Sequence, residues 1–113
     1  MKIFEFLYHL TTFERRNFGA IETMEDLDIV VLIGLHQCRG RIVTLKDIQA
    51  SKIGAAATIE RRLSRFKRLG IVAAKRSRKD GRNIELSLSP ATMRVFQRYA
   101  KTLAGLGQIF ESA

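Results

Sequence analysis

The hydrophobic period of this chain changes at one glycine, and that change restricts the folds open to it. Before Gly70, Ile59, Leu63 and Phe66 recur at i, i+4 and i+7, the spacing of one helical face. After it, Ile84, Leu86 and Leu88 alternate with Glu85 and Ser87, the spacing of a half-buried strand. Residues 57–72 (ATIERRLSRFKRLGIV) therefore predict an amphipathic helix that begins within Ala55–Ala57 and stops at Gly70. A glycine suits a helix end that needs a left-handed residue. Residues 71–76 and 84–88 supply two strands. Between them, Ser77-Arg-Lys-Asp-Gly-Arg82 holds the Asp80-Gly81 pair of a tight hairpin.

The segments ahead of this helix complete a recognisable arrangement. In Thr44-Leu-Lys-Asp47 a threonine N-cap is followed three residues later by an acid. A short helix over 45–51 follows, with Leu45 and Ile48 as its apolar face. Ser51-Lys-Ile-Gly54 reads as a turn, with Gly54 free to adopt a positive φ. A helix, a short turn and a basic second helix make a helix-turn-helix, and a hairpin with a basic tip behind it makes a wing.

Thr23-Met-Glu-Asp26 repeats the cap and opens a helix over 24–38. Leu27, Val30, Val31, Leu35 and Cys38 can face inward, and Gly34 marks close packing. Ile42-Val43 suggests a short strand.

The chain ends read as helices. Ile3, Phe6, Leu7 and Leu10 space a helix over 2–17. Ser89 and Pro90 suit the N-cap and first position of the last helix. In it Met93, Phe96, Ala100, Leu103, Gly107 and Phe110 step by three and four, a heptad-like seam widened by Tyr99, Leu106 and Ile109. Four of the seven phenylalanines fall in the first eighteen positions, a load hard to bury within so short a chain. A subunit interface built from Phe4, Leu7, Leu10, Met93, Phe96, Ala100, Leu103, Leu106 and Phe110 is expected, and it is compatible with the two helices also packing on each other. The expected fold class is mainly α with a small β-wing (α+β), one domain over 1–113. Residues 24–88 form the winged helix-turn-helix, and 1–20 and 90–113 form flanking dimerisation helices.

Charge narrows the function. The 113 residues carry a formal net charge of +9. Residues 52–82 hold eleven Lys and Arg against Glu60 and Asp80, so the whole excess lies there, and the rest balances at nine of each sign. Excess confined to one segment is the footprint of a nucleic-acid surface; a solubility device would be spread out.

On this reading Arg61 and Arg65 contact base edges or adjacent phosphates. Thr58 and the small Ala56 and Ala57 permit close approach. Ser51, Lys52, Arg62 and Arg68 suit phosphates, with a structural salt bridge as the alternative for Arg62. Arg78, Lys79 and Arg82 act from the wing in the minor groove. Asp80 holds the wing by pairing with Arg82 or capping its turn.

Other classes find less support. His36-Gln-Cys38 offers two metal ligands where zinc needs more, so a core-edge histidine and a buried thiol are expected. His9, His36 and Cys38 are too few for acid–base or nucleophilic work, and nothing requires a cofactor; a binding protein is expected rather than an enzyme. A small-molecule effector is left open. The lone cysteine excludes an internal disulfide and fits a reducing compartment. The apolar run from Ile29 to Leu35 is too short to span a bilayer, and Glu5 and His9 interrupt the only leader-like stretch. A cytoplasmic protein is expected. The competing reading is a winged-helix module that binds a protein or RNA through the same face, without operator specificity.

The residues from about 26 to 92 resemble the MarR family of winged helix-turn-helix transcriptional regulators, including its short SarA-like members. Thr44-Leu-Lys-Asp-Ile48 is similar to the start of that family's first DNA-domain helix. Ala57-Thr-Ile-Glu-Arg-Arg-Leu63 and Leu69-Gly-Ile-Val72 look like its recognition helix and exit. Asp80-Gly-Arg82, with Ile84, Leu86, Leu88 and Ser89 after it, resembles its Asp-x-Arg wing, the more discriminating motif. The wing tip and the N-terminal helical region are shorter than usual, and Thr92 stands where many members have glycine. The resemblance implies a homodimer, joined through its terminal helices, on double-stranded DNA at a pseudo-palindromic operator.

Overall fold

Local signals place most of the elements. The structure, a computed structural model, describes residues 1–79 and 81–111, with side chains as far as Gln108. The elements in order are α1 (Lys2–Asn17), α2 (Met24–Cys38), β1 (Val43–Thr44), α3 (Leu45–Ala50), α4 (Ala56–Arg68), β2 (Val72–Arg76), β3 (Ile84–Leu88) and α5 (Pro90–Glu111). They divide into two compact units. One is Ala20–Thr92; the other joins Met1–Gly19 to the chain from Met93 onward.

In the central unit both capping boxes form. Thr23 Oγ1 accepts the Asp26 amide at 3.1 Å, and Asp26 Oδ2 accepts the Thr23 amide at 3.3 Å. Thr44 and Asp47 repeat the exchange at 3.3 and 2.9 Å. Each box satisfies two helix-end donors that would otherwise lack partners. Gly70 ends α4 with φ at +73°, the left-handed conformation that a chain leaving a helix for a strand requires there.

The strands form one antiparallel sheet in the order β1-β3-β2. Val43 lies opposite Leu86, and Val72 opposite Leu88. One face of this sheet is buried. Its Val43, Val72, Leu86 and Leu88 join Ile29, Val30 and Ile33 of α2, Ile48 of α3, and Ile59, Leu63 and Phe66 of α4 in the core. Burial at about 1.5–3 kcal/mol for each large side chain makes this cluster the main source of cohesion in the unit.

The inward face of α2 differs from the expected one. Asp26, Ile29, Val30 and Ile33 are its buried residues. Val31 and Leu35 are 50% and 43% exposed, and the Cys38 thiol, expected to be buried, is exposed as well. Apolar residues surround most of this helix, so their pattern alone leaves its rotation undetermined. The buried Asp26 carboxylate fixes that rotation, because it must face its partners on α4. Gly34 sits where α2 meets β3: a Cβ built there would lie 3.1 Å from Leu88 Cδ1.

In the terminal unit, α1 buries none of its residues, and Phe4 and Tyr8 are 67% and 65% exposed. Phe13, Phe18, Phe96 and Tyr99 form a ring cluster, with Phe18 and Phe96 centroids 4.8 Å apart and those of Phe13 and Tyr99 5.3 Å apart. Phe96, expected on a subunit seam, is thus packed in its own unit. The Tyr99 hydroxyl donates to Glu14 Oε1 at 2.9 Å. Burial, then the hydrogen bond and charge of Glu14, push this phenol up to about 12. The Phe110 side chain lies outside the described residues.

Replacing Gly34 with valine should force Leu88 from its place and destabilise the fold by about 1–3 kcal/mol, read from chemical denaturation.

Candidate nucleic-acid interface

The helix α4 presents two faces with separate tasks. Ile59, Leu63 and Phe66 are at most 3% exposed and hold it to the core. Ala57, Arg61, Ser64 and Arg68, on the opposite face, are all exposed, as is Lys67 on its flank. Arg61, Lys67 and Arg68 have no acidic partner among the described residues. No side chain caps the helix start at Ala55, and Ala56 and Ala57 beyond it are small and exposed. Thr58 is half-buried. On the flank toward α3, Gln49 Nε2 donates to Glu60 Oε1 at 3.2 Å.

In the turn before α4 the left-handed residue is Lys52, with φ at 62°, rather than Gly54. Gly54 lies close to Glu25: a Cβ there would stand 3.2 Å from Glu25 Oε2, the end of a partly exposed side chain. Lys52 and Ser51 are both exposed, although Ser51 Oγ already donates back to the Ile48 carbonyl.

Two of the expected contact residues are engaged elsewhere. Asp26, fully buried, accepts Arg62 Nη1 on Oδ1 at 2.8 Å. Its Oδ2 accepts the Glu22 amide at 3.0 Å as well as that of Thr23. Arg62 Nη1 also donates to Thr23 Oγ1 at 2.9 Å, and its Nε lies 3.5 Å from Glu25 Oε2. Arg65 donates through Nη1 to the Ala20 carbonyl at 2.7 Å and through Nη2 to Glu22 Oε1 at 2.9 Å. It reaches Asp26 only at 3.9 Å.

The salt-bridge alternative for Arg62 is therefore the one realised, and Arg65 does not present a free guanidinium. The reason is local: Glu22, Glu25 and Asp26 gather at the start of α2, directly against this side of α4. Burial pushes the Asp26 carboxyl up. The Arg62 hydrogen bond and charge, with the Glu22 and Thr23 amides, outweigh that and hold it below its ordinary value. The Arg62 guanidinium is raised, chiefly by its hydrogen bond to Asp26.

The wing is held from within. The Ser77 amide donates to the Asn83 carbonyl at 2.9 Å, Arg76 Nη1 to the Gly81 carbonyl at 3.0 Å, and the Lys79 amide to Ser77 Oγ at 3.2 Å. Lys75 and Glu85, opposite each other on β2 and β3, approach to 3.7 Å. These contacts leave the Arg78, Lys79 and Arg82 side chains exposed. Asp80, expected to brace the wing, lies outside the described residues.

The structure thus brings Lys52, Arg61 and Arg68 together on one helix-turn-helix, with Arg78, Lys79 and Arg82 on the hairpin that follows it in the same unit. Sequence reasoning missed Glu22 and Asp26 as anchors of α4. The available signal was three acids within five positions in a chain whose neighbouring helix is strongly basic.

The fold and this cationic surface define a winged helix-turn-helix. Solved structures share it. The MepR–DNA complex of S. aureus aligns at a TM-score of 0.75 and 14% identity, over 99% of this chain and 90% of that one. A MarR structure aligns at 0.62 and 15%, over 96% and 77%. The PcaV transcriptional regulator of Streptomyces coelicolor, in complex with its natural ligand, aligns at 0.56 and 22%, over 81% and 62%. These neighbours are MarR-family regulators, and theirs is the fold of this chain. No protein-family model and no curated protein matches the sequence.

Because its folded-state carboxyl is held below its ordinary 3.8, Asp26 stabilises the fold fully above that pH and loses the contribution as pH falls through the depressed value. Asp26→Asn should cost about 3 kcal/mol at neutral pH, measured by denaturant unfolding. The gap to the native chain should close progressively below pH 3.8.

Proposed function

We propose that this chain is a sequence-specific double-stranded DNA-binding transcriptional regulator that acts as a homodimer on a pseudo-palindromic operator. The observation that carries the proposal is the set of exposed cations on α4 and the wing, of which Arg61, Arg68, Arg78 and Lys79 have no acidic partner among the described residues. They stand on the fold that MepR presents in its DNA complex. The α4 helix enters the major groove, where Arg61 reads a base edge and Ala56, Ala57 and Thr58 allow the approach. Arg68, Lys52 and Ser51 meet phosphates. Arg78, Lys79 and Arg82 enter the adjacent minor groove, where a narrow A·T-rich stretch attracts arginine.

Exposed apolar residues of α1 support the dimer. Ile3, Phe4, Leu7 and Tyr8 are exposed on one helix, none of whose residues is fully buried. With Leu10, Met93, Ala100, Leu103 and Leu106 they supply the interface, and two copies space the α4 helices about 34 Å apart, one turn of duplex. No helix among the described residues is long and apolar enough to cross a membrane. A cytoplasmic binding protein, rather than an enzyme, fits this reading.

If six to ten phosphates are neutralised, affinity should fall about 10³–10⁵-fold between roughly 50 and 200 mM salt, measured by fluorescence anisotropy. A flat response would remove the electrostatic basis of the proposal. Arg61→Ala should cost about 1–3 kcal/mol and relax preference at one position of the site. Phe4→Glu with Leu7→Glu should shift the sedimentation mass from two chains to one.

A further inference from the structure

Arg62 and Arg65 both leave α4 for the acids at the start of α2, yet they are held on different terms. Arg62 faces a carboxylate with no exposed surface, and its side chain is 21% exposed. Withdrawing it would strand a buried charge. Arg65 is bound to a backbone carbonyl and to Glu22, a carboxylate 65% exposed. Its ion pair with Glu22 can be exchanged at small cost, because that carboxylate then meets water, and Asp26, which Arg65 reaches only at 3.9 Å, keeps Arg62. Its position also differs. Residues 61, 65 and 68 follow each other at i, i+4 and i+7, so the backbone of Arg65 belongs to the same outer face as Arg61 and Arg68. Only its guanidinium is turned back.

We propose that Glu22 is a competitor for DNA: it holds Arg65 off the duplex-facing surface, and specific binding transfers that guanidinium from the carboxylate to the nucleic acid. The inference rests on the proposed DNA-binding function. Glu22 thereby sets affinity and discrimination together. A site that offers Arg65 a good acceptor repays the loss of Glu22, whereas a site that does not leaves Arg65 paired and contributes one contact fewer. Arg62 stays fixed as the strut that keeps α4 in place during the exchange.

The test is a double-mutant cycle on a duplex selected from a random pool by the native protein. The set is the native chain, Glu22→Gln, Arg65→Ala and the double variant, with melting curves to establish folding. Glu22→Gln keeps the shape of the side chain and leaves the Asp26–Arg62 pair intact. It should tighten binding about three- to fivefold, the scale of one exposed ion pair. In the Arg65→Ala background the same substitution should change nothing. Equal tightening in both backgrounds would reduce Glu22 to a general negative charge and overturn the proposal, as would no tightening in either. Should Glu22→Gln lower the melting temperature, Glu22→Asp replaces it. Its shorter carboxylate keeps the charge but loosens the grip on Arg65, and it must tighten binding only where Arg65 is present. A native chain that selects no sequence would instead defeat the DNA-binding function on which the inference stands.

Discussion

The way α2 and α4 are oriented in the central unit rests on one buried carboxylate. Asp26 has no exposed surface, and its two oxygens are satisfied by Arg62 and by the amides of Glu22 and Thr23. An ionised group in such a place is tolerated only when its partners are complete. That requirement ties the first turn of α2 to the middle of α4. It sets the rotation of α2, which its apolar residues do not. The capping box is part of the same device, since Asp26 serves at once as helix cap and as ion-pair partner.

From this constraint comes a division of labour among the basic residues of one helix. Those beside α2 hold the helix; those facing away from the core remain exposed. Apolar burial of Ile59, Leu63 and Phe66 supplies the bulk of the cohesion, and the ion pairs supply orientation. The wing follows the same logic on a smaller scale. Arg76 is spent on the Gly81 carbonyl, so the hairpin is braced while Arg78 and Lys79 extend from it.

Much of this is legible in the order of the residues alone. Both threonine caps, the turn of period at Gly70 and the hairpin between β2 and β3 depend on neighbours within a few residues, and local rules read them. The rotation of α2 is not legible, because Val31 and Leu35 are as apolar as Ile29 and Ile33. Arg62 and Arg65 share that difficulty. Their partners lie some forty positions earlier, and a basic helix by itself does not reveal which cations an acidic cluster will claim. Glycine takes the left-handed conformation at least cost, which points to Gly54 in the turn before α4. Lys52 adopts it instead. Phe96 satisfies a heptad spacing and also finds aromatic partners in Phe18 and Tyr99, and the spacing alone does not name them.

If the exposed cations of α4 and the wing meet the grooves of a duplex, two copies at a time, hydroxyl-radical footprinting on a duplex selected from random sequence tests it most directly. Two protected segments one helical turn apart, related by an approximate dyad, are expected, and both should fade together in the Arg61→Ala, Arg68→Ala variant. A uniform or absent footprint, with single-stranded RNA or an acidic protein bound more tightly than any duplex, would contradict it.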